Sequence, residues 1–126
     1  MSIYGIGSDI INISRIKKAL KNKGFKKKIF SKNEIKNIEI KPNKISRYAK
    51  RFAAKEAFSK ALGTGISGGI SFKDISIIND SRGQPHIQLT GNTKIIVQKI
   101  IKKRYKIYLS ISDEKKYALA MVVITY

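Results

Sequence analysis

Apolar side chains recur every three or four positions between residues 43 and 62, which predicts a long helix with one face turned inward. That face carries Ile45, Ala49, Phe52, Ala53, Glu56, Ala57, Lys60 and Ala61. Most of these residues are apolar, but Glu56 and Lys60 lie among them, one helical turn apart. A buried charge is costly unless it is paired or binds a metal, so these two side chains need a partner.

Two interpretations of Glu56 and Lys60 are open. They form an i,i+4 ion pair on a half-buried face, or they belong to a site for a magnesium ion and a phosphate group. The surrounding sequence favours the second interpretation. Four alanines leave room for a ligand, Arg51 and Lys55 add positive charge, and the helix ends in the turn Gly63-Thr64-Gly65, which a bulky group can approach.

A second candidate carboxylate lies near the N-terminus. Residues 3–8 read as a short strand, in which Gly5 and Gly7 allow close packing. We expect Asp9 to stand where this strand passes into a helix over residues 10–22, and Asp9 serves either as the helix N-cap or as a ligand. That helix would turn a stripe inward that consists of Ile10, Ile13, Ile16 and Leu20.

The remaining pattern predicts an α+β domain that covers residues 1–126. Ser31 and Glu34 form a capping box for a helix that ends near Ile38. Strands near 72–79 and 85–89 are joined by a turn at 80–83, and Gly91 opens a helix with Ile95, Ile96 and Ile100 inside. Strands at 107–112 and 117–125 complete a small, mainly antiparallel sheet on which the helices pack.

Composition narrows the function classes. The chain has 126 residues and no cysteine, which excludes disulfides, thiolate metal sites and a cysteine nucleophile. The longest apolar run, residues 118–124, is too short to cross a membrane, and the N-terminus lacks the features of a signal peptide. We therefore expect a cytoplasmic protein without a membrane partner.

The formal net charge of +19 raises nucleic-acid binding as an alternative function. Aromatic residues are not interleaved with the lysine clusters, as a base-stacking surface would require. Lysine outnumbers arginine 22 to 5, and isoleucine and asparagine, whose codons are also A/T-rich, occur 24 and seven times. Codon bias therefore accounts for much of the charge, and nucleic acid is not expected to be the primary partner.

Three segments together point to a known family. They are residues 7–16 (GSDIINISRI), residues 51–66 (RFAAKEAFSKALGTGI) and residues 83–85 (GQP). In this order, and over nearly the whole chain, they resemble holo-[acyl carrier protein] synthase, the short single-domain type of 4′-phosphopantetheinyl transferase. The resemblance implies the fold of that family, a homotrimer with active sites between subunits, and a role in fatty acid biosynthesis.

The resemblance also assigns roles to individual residues. Asp9 and Glu56 match the two carboxylates that hold the divalent metal, and Lys60 matches the lysine that lies against the phosphates. Arg15 matches an arginine that contacts the acidic acyl carrier protein. The coenzyme A groove is matched by Arg51, Gly63, Thr64, Gly65 and Pro85. Where many relatives have histidine, this chain has Asp113; its single histidine, His86, is interpreted as an ordinary strand residue.

The implied reaction fits these residues. Mg²⁺ is commonly held by one or two carboxylates together with substrate phosphates, and Mn²⁺ suits the same oxygen ligands. Lys60 would neutralise charge on the leaving adenosine 3′,5′-bisphosphate while a carrier serine attacks the phosphorus that bears the pantetheine arm. Either Glu56 or a metal-ordered water takes the serine proton, and the sequence does not choose between them.

Overall fold

The computed structural model describes all residues from Met1 to Tyr126. The helices are α1 (Ile13–Ala19), α2 (Phe25–Ile29), α3 (Lys32–Glu39), α4 (Lys44–Leu62) and α5 (Gly91–Ile101). The strands are β1 (Ile3–Asn12), β2 (Ile75–Asn79), β3 (Pro85–Leu89), β4 (Lys106–Asp113) and β5 (Tyr117–Thr125), and a 3₁₀ turn, Phe72–Asp74, precedes β2. The predicted α+β class is confirmed.

The main sheet is antiparallel and has three strands in the order β1-β5-β4. Along β5, residues alternate between buried and exposed, as expected for a strand with one face on the core. Helix α4 packs on the inner face, against all three strands. The outer face carries exposed Ile6, Ile10, Leu119 and Met121, all on β1 or β5.

Strands β2 and β3 form a separate two-stranded hairpin that shares no strand pairing with the main sheet. Its turn is closed by Gly83 N–H, which donates to Asp80 O at 2.9 Å, and by Asp80 Oδ1, which accepts from the backbone N–H groups of Arg82 and Gln84. The predicted hairpin is confirmed, but it is not part of the main sheet.

Close approach of β1 to α4 depends on two glycines. A Cβ atom added to Gly5 would lie 1.9 Å from the carbonyl oxygen of Ala61, and one added to Gly7 would lie 2.0 Å from that of Ala57. No side chain fits at either position, so the predicted close packing is confirmed. Alanines on α4 supply the matching small surface.

A helix lies within the predicted range of residues 10–22, but both predicted ends are wrong. Strand β1 continues to Asn12, since each of its last residues pairs with β5 as far as Tyr117, and α1 covers only Ile13–Ala19. The N-cap is Asn12, whose Oδ1 accepts from Ser14 N at 2.9 Å, so Asp9 is not the cap. Of the predicted stripe, Ile16 is buried but Ile10 is exposed on the outer sheet face.

Two further details differ from prediction. Helix α2 was not predicted, because five residues carry too little periodicity to be recognised. In α5, Ile95 is exposed, and the buried positions are Thr93, Val97 and Ile101, with Ile96 and Ile100 partly buried. The Ser31–Glu34 capping box is confirmed at the start of α3, with both reciprocal hydrogen bonds present.

Candidate functional site

The inner face of β1 and the second half of α4 bring Asp9, Glu56 and Lys60 together. Asp9 pairs with Ala120 in the sheet and lies on the face that α4 covers. Lys60 Nζ donates to Asp9 Oδ1 at 3.2 Å and to the backbone oxygen of Ser8 at 3.0 Å. Asp9 is about 50 residues away in sequence from the other two residues. We call these three side chains the acidic pair and its lysine.

Glu56 makes no side-chain hydrogen bond or ion pair, and its side chain is half-buried. Burial and the neighbouring charge of Asp9 raise the pKa of Glu56, and the charge of Lys60 only partly opposes this. The i,i+4 ion pair between Glu56 and Lys60 is therefore not formed, because the lysine reaches across to Asp9. Two carboxylates lie close together here, and the charge of one lysine compensates them only in part. A bound cation would supply the missing positive charge.

The lysine at this site is more accessible than the helical stripe predicts. The side chain of Lys60 is 54% exposed, so its ammonium faces an open space and not the core. Asp9 is less exposed, at 17%. Exposed ion pairs of this kind contribute little to stability, which leaves the ammonium free to exchange its partner for an anion.

The turn after α4 begins immediately beside Lys60. Gly63 and Gly65 have positive φ angles of 91° and 66°, and the backbone N–H groups of both donate to Ser59 O. Thr64 lies between them, and its Oγ1 donates to Gly65 O at 2.8 Å. The predicted C-cap is confirmed, and a Cβ at either glycine would meet no neighbour within 4 Å, so the turn is open to a ligand.

A concave region lies near the first half of α4. Arg51 and Pro85 line one cleft of about 230 Å³, together with Arg47, Lys50, Asn79, Gly83 and Ile111. The structure thus brings together two of the residues predicted for one groove. We call this region the Arg51 cleft; its walls are α4, the β2–β3 hairpin and β4.

Arg51 is buried without adequate partners. Its residue is 5% exposed, its Nε has no hydrogen-bond partner, and one terminal nitrogen donates to Arg47 O at 3.3 Å. Burial lowers the pKa of the guanidinium. An unsatisfied buried cation costs free energy, so an anion in the adjoining cleft would compensate it.

Asp113 forms an ion pair with Lys50, one of the residues that line the Arg51 cleft. Lys50 Nζ lies 3.3 Å from Asp113 Oδ1, which joins α4 to the end of β4. The position at which the family resemblance implies histidine in many relatives is therefore occupied by the carboxylate of an ion pair. His86 lies on β3, as predicted, and its Nε2 lies 2.9 Å from Asp80 Oδ2 on the exposed side of the hairpin turn.

Arg15 lies on α1, is exposed and forms no ion pair. The structure does not bring it into contact with the acidic pair and its lysine. Lysines 17, 18, 21 and 23 follow it along the same segment, and all of them are exposed. This segment is therefore a free, positively charged surface beside β1.

Sequence reasoning missed the most deeply buried charges of the chain. Lys55 Nζ donates to Glu34 Oε1 at 2.7 Å, and both side chains are fully buried. The sequence placed Lys55 on a helix face beside Arg51 and gave Glu34 only a capping role. Since Glu34 and Lys55 lie 21 residues apart, no local pattern could have paired them.

Comparison with known proteins identifies the family to which the chain is similar. The profile of the 4′-phosphopantetheinyl transferase superfamily matches residues 5–122. The holo-[acyl-carrier-protein] synthase of Pelagibacter ubique (strain HTCC1062) is 52% identical, over 98% of each chain. The protein of the same name from Fusobacterium nucleatum subsp. nucleatum is 46% identical, over 97% of this chain and 98% of the relative.

Solved structures are similar over the same length. The holo-[acyl-carrier-protein] synthase from Neisseria meningitidis has a TM-score of 0.88 at 38% identity, over 98% of this chain and 99% of that one. The holo-(acyl-carrier-protein) synthase from Bacillus anthracis str. Ames, solved in complex with CoA (3′,5′-ADP), has a TM-score of 0.82 at 38% identity, over 98% of this chain and 97% of that one.

Among the helices of this protein, none combines the length and the apolar character that a membrane span requires.

Proposed function

Because this chain belongs to the 4′-phosphopantetheinyl transferase superfamily and is a holo-[acyl-carrier-protein] synthase by its relatives, we propose how its own residues perform that transfer. The 4′-phosphopantetheine group of coenzyme A passes to a serine of an apo-acyl carrier protein, and adenosine 3′,5′-bisphosphate leaves. The observation that carries the proposal is the acidic pair and its lysine: two carboxylates and an exposed ammonium that meet beside an open glycine turn.

Asp9 and Glu56 fit a divalent cation. Mg²⁺ takes oxygen ligands and is held by one or two carboxylates when the substrate supplies phosphates, and Mn²⁺ accepts the same ligands. Burial and the charge of Asp9 raise the pKa of Glu56, and Lys60 opposes this only in part, which supports a cation beside the two carboxylates. Asp9 and Glu56 would hold a Mg²⁺ ion, which would supply positive charge to the diphosphate of coenzyme A.

Bond formation, proton transfer and stabilisation of the leaving group involve side chains of this protein and of the carrier. The carrier serine Oγ forms a bond to the phosphorus that bears the pantetheine arm, and the phosphorus–oxygen bond to the adenosine bisphosphate breaks. The serine proton moves to Glu56 or to an ordered water beside it. Lys60, released from Asp9, donates to the leaving phosphate and neutralises its charge.

The Arg51 cleft supports coenzyme A as the substrate. Arg51 and Lys60 are nine residues apart on one helix, which corresponds to about 13 Å along its axis and about half a turn around it. Coenzyme A carries a diphosphate and a separate phosphate on its ribose, so it offers one anionic group to each of the two cationic regions. The unpartnered Nε of Arg51 is the buried group that such a phosphate would satisfy. Pro85 and the Gly63–Thr64–Gly65 turn complete the groove in this proposal.

Arg15 and the lysines that follow it are proposed as the docking surface for the carrier. Acyl carrier proteins are acidic, and complementary charge accelerates encounter more than it tightens the final complex. Exposure of Arg15 and its lack of an intramolecular partner support this role.

The outer face of the main sheet supports the proposed trimer. Large apolar side chains lie exposed on all three strands, at Ile6, Ile10, Tyr108, Leu119 and Met121. A contiguous apolar face of this kind is typical of a surface that another subunit covers. We propose that copies of the chain meet there. Completion of the site at Asp9, which lies on the opposite face of β1, by an adjacent subunit rests on the family resemblance alone. The cytoplasmic location and the role in fatty acid biosynthesis belong to the same proposal, because they rest on the family resemblance.

The experiment that tests this function is transfer to a purified apo-acyl carrier protein. The chain is incubated with the carrier, coenzyme A and either Mg²⁺ or a chelator, and the carrier is weighed by intact-protein mass spectrometry. The proposal predicts a mass increase equal to phosphopantetheine with Mg²⁺ and none with the chelator. A carrier that stays apo, together with a DNA mobility shift by the same protein, would favour the nucleic-acid alternative.

A further inference from the structure

The buried Glu34–Lys55 pair has no place in the proposed transfer chemistry. Lys55 Nζ donates to Glu34 Oε1 at 2.7 Å, to Phe72 O at 2.9 Å and to Ile75 O. Glu34 is also fully satisfied: Oε1 accepts from Ser31 N at 2.9 Å, and Oε2 accepts from Ile77 N at 3.1 Å. This is the most completely bonded charged pair in the protein, and both side chains are excluded from solvent.

The pair joins the β2–β3 hairpin to the helices. Three hydrogen bonds link hairpin residues to α3 and α4, through Ile75 O, Ser76 Oγ and Ile77 N, and all of them lie at the beginning of β2. The first and third bonds are made by Lys55 and Glu34, and the second by Ser31, the N-cap of α3. Because the hairpin does not pair with the main sheet, this cluster is its polar attachment point.

The far end of the hairpin forms a wall of the Arg51 cleft. Asn79, four residues after Ile75, and Pro85 both line that cleft opposite α4. Four residues of strand extend about 13 Å, so this wall of the cleft lies about that far from the attachment at Lys55, and β3 also packs against β4. A tilt of about 5° at this attachment would move the wall by about 1 Å.

We propose that the Glu34–Lys55 pair is a positioning device for coenzyme A binding: it fixes the tilt of the hairpin against α4 and thereby the width of the Arg51 cleft. The proposal rests on the function proposed above. Arg51 lies one turn before Lys55 on the same helix, so the cleft and its anchor share one rigid element. A displacement of 1 Å in a ligand-positioning group can change reactivity up to about 10²-fold, so loss of the anchor should be measurable at the cleft.

The test is the double variant Glu34→Gln/Lys55→Met, which removes both charges and keeps the side-chain volumes. Removing both charges avoids the unpaired buried charge that a single substitution would leave, although Phe72 O and Ile75 O lose their donor. Coenzyme A affinity is measured by calorimetry with Mg²⁺, and the melting temperature without ligand. We expect the Kd for coenzyme A to rise at least about 10-fold, with kcat at saturating coenzyme A within about 3-fold of wild type.

Ile38→Ala is the matched control. Ile38 is fully buried, lies on α3 one turn after Glu34, and has no polar contact, so the variant loses stability without touching the anchor. It should melt lower than wild type and bind coenzyme A nearly normally. If the double variant fails to fold, Ser76→Ala removes only the Ser31–Ser76 bond and should raise the Kd by a smaller factor, about 2- to 3-fold.

The outcomes separate the two proposals. Unchanged coenzyme A affinity in a folded double variant, or in Ser76→Ala when the double variant does not fold, would overturn the positioning role and leave the transferase function standing. Equal loss of affinity in Ile38→Ala would also overturn it, because general destabilisation would explain both. Wild-type protein that does not bind coenzyme A at all would refute the proposed function, and the positioning role with it.

Discussion

Replacing Gly7 by alanine tests how closely the site depends on the contact between β1 and α4. The added Cβ would lie 2.0 Å from Ala57 O and 2.6 Å from Ala61 N, whereas ordinary contacts begin near 3.4 Å. The strand must therefore retreat from the helix by about 1.4 Å, the difference between 3.4 and 2.0 Å. Both clashing atoms are backbone atoms of a hydrogen-bonded helix, so no side-chain rotation can relieve the clash.

The expected effect has two parts. Overpacking a rigid core costs about 1–3 kcal/mol, and we expect the upper end here, measured as the free energy of unfolding in urea. Asp9 lies on the same face of β1, two residues further along, so it moves away from Glu56 together with the strand. A shift of this size should lower kcat about 10²-fold, measured in the carrier transfer assay.

Gly24→Ala provides the control. A Cβ at Gly24 meets nothing within 4 Å, but its φ of 87° is strained for alanine, so the variant should lose about 1 kcal/mol and keep its kcat. Gly7→Ala protein with wild-type urea stability and wild-type kcat would refute the close approach of strand and helix. Equal loss of kcat in Gly24→Ala would show that instability alone, and not the position of Asp9, explains the result.

Four further predictions follow from the site and its surroundings. Glu56→Gln should abolish turnover and leave the fold intact. Burial and the charge of Asp9 raise the pKa of Glu56, so the ionised form of this carboxyl opposes folding. In urea unfolding the variant should therefore match or exceed the stability of the wild-type protein near neutral pH, and it should lose that advantage in acid, where the wild-type carboxyl is protonated. Lys60→Met should lower kcat about 10²-fold or more in the transfer assay, with an unchanged melting temperature. Arg15→Glu should raise the KM for the carrier strongly and leave coenzyme A binding by calorimetry unchanged, and wild-type turnover should fall with salt. The pKa of Glu39 is lowered from 4.5 to about 2, chiefly by hydrogen bonds from the Tyr48 hydroxyl and from Lys26. The wild-type protein should therefore lose stability as the pH falls through this range, and Glu39→Gln should lose less stability over the same range.

Each of these predictions has an outcome that contradicts it. A Glu56→Gln enzyme with near-normal Mg²⁺-dependent turnover would exclude the two-carboxylate site. A stable Lys60→Met variant with unchanged kcat would reduce Lys60 to a surface ion-pair partner of Asp9. Salt-independent turnover, or an Arg15→Glu variant that loses coenzyme A affinity, would reassign α1. Parallel acid unfolding curves for wild type and Glu39→Gln would place the acid-sensitive group elsewhere.

The sequence predicted the elements whose pattern is local and strong. The period of α4, the Ser31–Glu34 capping box and the hairpin turn at Asp80 all depend on residues within a few positions of one another, and the structure confirms each. Residues 10–20 show why such reasoning can fail. The spacing of Ile10, Ile13 and Ile16 fits a helix, but pairing with β5 keeps the chain extended to Asn12.

The candidate site was predicted in its membership but not in its contacts. Asp9, Glu56 and Lys60 do meet, but the one partner within the chain that the sequence suggested for Lys60 was Glu56 on its own helix, and its actual partner is Asp9, 51 residues away. Lys55 is the converse case. It reads as a cation on an adjacent helix face, but it is fully buried, because Glu34 and two backbone carbonyls on distant segments satisfy its ammonium. Long-range partners of this kind leave no local pattern to recognise.

The central claim is that phosphopantetheine transfer takes place at Asp9 and Glu56. The most direct test is a single mass-spectrometric time course of an apo-acyl carrier protein with coenzyme A and Mg²⁺, run with wild type and with the folded variant Asp9→Asn/Glu56→Gln. We predict that wild type converts the carrier to the phosphopantetheinylated form while the variant leaves it apo. Conversion by the variant at a rate comparable to wild type would contradict the claim.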